Sequence, residues 1–116
     1  MRETVKYLPT PLRVPRKRFR AWLESFDPDA EVGYTGHSRH CPIANCLALE
    51  FGLRYPSVCD DVEYDNWSGQ NHDYSRIARG LPKWAVRFIA AVDERSDNFD
   101  AITAYDALEI LSELGG

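Results

Sequence analysis

A chain of 116 residues with 44% hydrophobic and 28% charged side chains has the balance of one globular domain, and that composition excludes a disordered chain. No stretch approaches the roughly 20 apolar residues needed to span a bilayer, and residues 1–7 carry charge with no apolar run behind them, which argues against a secretory signal. The net charge of −4 is unevenly divided: residues 1–20 hold seven basic side chains against one acidic, whereas residues 21–116 hold seven against seventeen.

The three cysteines, Cys41, Cys46 and Cys59, are an odd and low count. They point to free thiols in a reducing, cytoplasmic setting rather than to a disulfide framework. The expected class is a soluble α+β domain covering residues 1–116, with about four helices and a small antiparallel sheet of two to three short strands.

Residues 1–15 read as an extended N-terminal arm, because Pro9, Pro11 and Pro15 each disfavour helix at the preceding residue. A short strand over residues 3–8 would place Val5 and Tyr7 on one face. The first helix is expected from Pro15, with Phe19, Trp22, Leu23 and Phe26 at helical spacing, and with Asp27-Pro28 as its end. Arg16, Lys17, Arg18 and Arg20 crowd its N-terminal half, where the helix dipole disfavours cations. They therefore require partners, for which the acidic segment 60–65 is the candidate.

Residues 29–40 read as a loop with a short strand at residues 32–34. The second helix, residues 42–51, is apolar almost all round and is expected to be buried at the centre of the core, with Gly52 as its C-terminal stop. In residues 58–65, Val62 and Tyr64 alternate with Asp61, Glu63 and Asp65, the pattern of a half-buried strand with an acidic outer face. Residues 66–71 read as a turn, with a second strand near it that the pattern does not place. A third helix is expected over residues 81–94. A fourth begins at Thr103, with Asp106 three residues later and Ile102 paired with Ala107 as a hydrophobic staple.

Four constellations bear on function. The acidic residues Asp60, Asp61, Glu63 and Asp65 and the basic residues Arg16, Lys17, Arg18 and Arg20 offer two docking surfaces of opposite sign. On this reading the chain is a small non-enzymatic binding or regulatory protein whose partner is another protein. An inhibitor of a nucleic-acid-handling complex, of the sort mobile elements encode, is one such protein, its carboxylates standing in for phosphates. No cofactor motif is present, and neither a membrane partner nor an oligomeric state is implied.

Two alternatives stay open. Cys41 precedes Pro42 at the start of the second helix, where unpaired N–H groups lower a thiol's pKa; with His72 as base it would serve a Cys-dependent hydrolase or transferase. The basic run 16–20 would instead serve nucleic-acid binding through the arm. A metal site is not expected. The nearest approach to one is His37, His40 and Cys41, since no Cys-x-x-Cys pair is present.

Overall fold

The structure, a computed structural model, describes residues 4–65, 75–95 and 99–114. Its elements run β1 (Thr4–Tyr7), α1 (Arg16–Glu24), β2 (Glu31–Tyr34), α2 (Pro42–Glu50), β3 (Ser57–Val58), β4 (Asp61–Asp65), β5 (Ser75–Gly80), α3 (Lys83–Arg95), β6 (Ala101–Thr103) and α4 (Ala104–Glu113). The class is α+β. The strands form a four-stranded sheet in the order β1-β5-β4-β3 and a two-stranded β2-β6 ribbon.

The main sheet is mixed, whereas the sequence suggested a smaller antiparallel one. β3, β4 and β5 are antiparallel neighbours, but β1 enters from the far end of the chain and lies parallel to β5. Backbone bonds from Leu8 to the Ala78 carbonyl (2.9 Å) and from Leu12 to the Gly80 carbonyl (2.8 Å) carry the arm along β5. The arm is thus a sheet edge and its continuation. β6 was not anticipated. It pairs with β2 across a register irregularity between Glu31 and Gly33. The turn expected at residues 66–71 lies outside the described residues.

α1 begins at Arg16, with the Pro15 carbonyl accepting from the N–H groups of Arg18 and Phe19. It stops at Glu24, short of Asp27-Pro28, because the Ser25 hydroxyl donates to the Trp22 carbonyl at 2.6 Å and turns the chain. Phe19, Trp22 and Leu23 are buried, as their spacing requires. Phe19 is the hub, with ring centroids 6.1 Å from Trp22, 5.4 Å from Trp84 and 5.0 Å from Phe88.

α2 buries Ile43, Ala44, Cys46 and Leu47, yet Leu49 is 71% exposed. The expectation of a helix buried all round is therefore corrected: α2 lines the core with one side and shows the other to solvent. Asn45 holds it in place, donating to the carbonyls of Val32 (2.9 Å) and His40 (3.3 Å). Gly52, at φ 67°, reverses the chain so that the Leu53 N–H returns to the Leu47 carbonyl at 3.1 Å. α4 starts as its sequence predicts. The Thr103 hydroxyl accepts from the Asp106 N–H at 3.2 Å, and both Ile102 and Ala107 are buried.

Candidate functional site

The strand register builds one face of the main sheet residue by residue. Cross-strand partners project to the same side. Tyr7 pairs with Ala78, which pairs with Glu63, which pairs with Ser57, so these four form one row. Val5, Arg76 and Asp65 form the next, and Gly80 with Asp61 a third. Val62, fully buried, projects to the opposite, core-facing side. Alternation in β4 is thus as the sequence indicated, with Asp61, Glu63 and Asp65 on the outer face.

That face is not uniformly acidic. Arg76 lies across it and is only 8% exposed; its guanidinium donates to the Asp65 carboxylate at 2.5 Å and to the carbonyls of Glu63 (2.9 Å) and Tyr55 (3.0 Å). Three bonds to one guanidinium fix its position and neutralise Asp65. Among the described residues, neither Asp61 nor Glu63 forms a salt bridge. Beside them, Tyr7 is 65% exposed and Val5 is 53% exposed. β1 therefore adds an aromatic and an aliphatic side chain to the acidic strand. This neighbourhood was not legible in the sequence, because residues 5 and 7 meet residue 63 only through β5.

The basic residues of α1 resolve differently. The Arg16 guanidinium donates to the Leu111 carbonyl near the end of α4. The Arg18 guanidinium donates to the Glu50 carbonyl, the last residue of α2, at 3.0 Å and sits 4.2 Å from the Phe51 ring centroid. Arg20 pairs with Glu24 at 3.0 Å, and Lys17 is exposed. Two cations thus lie at the negative ends of neighbouring helices, where the dipole and unpaired carbonyls favour them. The partners expected in segment 60–65 are not the described ones.

Cys41 caps α2, its sulfur accepting from the Ala44 N–H at 3.5 Å, with Pro42 following. The sequence suggested a thiol of lowered pKa, but burial acts the other way. Cys41 is 3% exposed, and loss of hydration pushes its pKa from 9.0 up to about 11; the Ala44 and Ile43 N–H groups oppose this and the Asp93 carboxylate adds to it. At neutral pH the group is a thiol, which is a weak nucleophile. Its proposed partner His72 lies outside the described residues.

Cys46 is also pushed up, to about 12, by burial first and Glu50 second, against Arg18. Both folded-state values exceed the ordinary one, so above about pH 9 the folded chain retains protons that the unfolded chain releases. Their contribution to stability is full below that pH and lost as pH rises through about 11 for Cys41 and about 12 for Cys46. Denaturant midpoints are expected to fall across this range, and less steeply in Cys46→Ala, which isolates the share of that thiol. A midpoint independent of pH there, or equal slopes in the two proteins, would contradict the assignment.

His37 and His40 lie side by side, ring centroids 4.5 Å apart, and His37 meets Phe99 at 5.4 Å. Among the described residues no group of three or more His, Cys, Asp or Glu side chains is placed to hold a metal ion, so His37, His40 and Cys41 do not converge on one. His37 and Cys41 border a cleft of about 260 Å³, walled by α3 and the β3–β4 turn and lined also by Cys59, Asp60 and Asp93 with apolar side chains between. No described helix is long and apolar enough to cross a membrane. Compared with protein-family models, with curated proteins and with solved structures, the chain matches none.

Proposed function

We propose that the protein is a binding module that docks a basic protein surface onto the outer face of its main sheet, and that it regulates that partner by covering it. The observation that supports this is the cross-strand row in which exposed Tyr7 lies beside Glu63, with Ala78 between them. An exposed tyrosine bordered by a small residue and carboxylates has the make-up of an interface anchor, in which the ring supplies contact area and the charges supply orientation and encounter rate. Asp60 and Asp61 extend the negative charge to the β3–β4 turn. A partner surface that otherwise takes phosphates suits such a face, which makes inhibition of a nucleic-acid-handling protein the favoured form of regulation.

The α1 cations contribute less. Arg16 and Arg18 are committed to helix ends of the same chain, and Arg20 to Glu24. This also lowers the weight of nucleic-acid binding through the basic run.

The test is quantitative capture from source lysate, with and without nuclease, on immobilised wild-type chain and on a Tyr7→Ala/Asp61→Lys/Glu63→Lys variant. All three positions are at the surface or half-buried, so the fold should persist. A protein retained by the wild type after nuclease treatment and reduced about tenfold or more on the variant is the expected result. Equal recovery on both would remove this face. Loss on nuclease treatment would shift the reading to nucleic acid.

A further inference from the structure

The cleft between α3 and the β3–β4 turn has features the sheet-face reading does not use, and the inference drawn from it goes beyond that reading. Its wall includes Val58 from β3 and Val86 and Ile89 from α3, an apolar sleeve. Two carboxylates, Asp60 and Asp93, and the imidazole of His37 line the same space, and among the described residues no lysine or arginine does. Asp93 is oriented, because one of its oxygens accepts the Gly36 N–H at 2.9 Å and its second oxygen has no part in that bond.

We infer that this cleft binds an alkylguanidinium or alkylammonium group, its alkyl stem along Val58, Val86 and Ile89 and its N–H donors shared between Asp93 and Asp60. Each part of that ligand answers a part of the cleft. The stem takes the apolar wall, as the stems of arginine and lysine do on protein surfaces. The charge is opposite to that of both carboxylates. A planar fork of N–H groups matches an aspartate already held by a backbone amide. The same chemistry has two sources, a free organic cation or the basic side chain of a protein.

The test follows backbone amide resonances of the full chain by NMR at fixed ionic strength, with butylguanidinium as probe and butylurea as its neutral isostere. Saturable shifts at Gly36, Ser38 and Cys59 with butylguanidinium, and affinity at least about tenfold weaker for butylurea, are expected. Asp93→Asn keeps an acceptor for the Gly36 N–H while removing the charge, and should weaken binding by about tenfold. If that variant does not fold, Asp60→Asn, at an exposed position, serves the same purpose. Tighter binding of N-acetylargininamide than of butylguanidinium assigns the site to a protein side chain, and the reverse order to a free cation. Absence of saturable shifts, equal response to butylurea, or wild-type affinity in the charge-neutral variants would overturn the inference.

Discussion

Phe19→Ala is expected to destabilise the protein by about 3–5 kcal/mol, the range for removing a large aromatic from a core. Phe19 is fully buried and its ring meets those of Trp22, Trp84 and Phe88, so one truncation loosens contacts in α1 and α3 together. The cavity left behind cannot close easily. Trp84 is tied through its indole N–H to the Val14 carbonyl at 3.0 Å, and Trp22 packs edge-on against Phe26 at 5.0 Å. Against a typical domain stability of about 5–15 kcal/mol, such a loss is a large share of the total. Urea unfolding followed by tryptophan fluorescence measures it directly, since two of the three tryptophans border the ring. The denaturation midpoint should fall with little change in slope. A loss under about 1 kcal/mol would show that the four rings do not form the centre of the core.

Gly33→Ala should also cost stability, by about 1–3 kcal/mol or more, although glycine-to-alanine changes at unstrained sites usually stabilise. A Cβ at Gly33 would lie 2.6 Å from the Pro42 nitrogen, 2.7 Å from the His40 oxygen and 2.8 Å from the Pro42 Cδ. Two of these are backbone atoms, so no side-chain rotation relieves the clash. The same His40 carbonyl accepts from the Tyr34 N–H at 2.9 Å and from Asn45, so displacing it disturbs both β2 and the entry to α2. Gly80→Ala is the control. Among the described residues a Cβ there meets only Pro11 side-chain carbons, at 3.9 Å or beyond, and should be accommodated. Equal thermal midpoints for the Gly33 and Gly80 variants would contradict the close approach of β2 to α2.

Both expectations rest on different kinds of information. The Phe19 spacing is visible in the chain, since Phe19, Trp22, Leu23 and Phe26 recur at the helical period. Nothing local marks Gly33 as a point where two backbones approach.

The same division holds for the site. That Asp61, Glu63 and Asp65 share a strand face follows from period-two alternation alone. Their setting does not: Arg76 neutralises Asp65, and Tyr7 joins Glu63 through Ala78, because β1, β4 and β5 meet from distant parts of the chain. The α1 cations were legible as charges needing partners. The described partners, carbonyls at the ends of α2 and α4, appear only once those helices pack beside α1. Cys41 shows the contrast within one residue. Its place as the cap of α2 is a local property of the Cys-Pro step before an apolar run, and the sequence determined it, as it determined the Thr103 cap and the apolar faces of the helices. Its protonation depends on whether water reaches the sulfur. That, together with the parallel edge strand and the cleft shared by α3 and the β3–β4 turn, was decided by tertiary packing, because desolvation and strand pairing depend on atoms that are neighbours in space and remote in sequence.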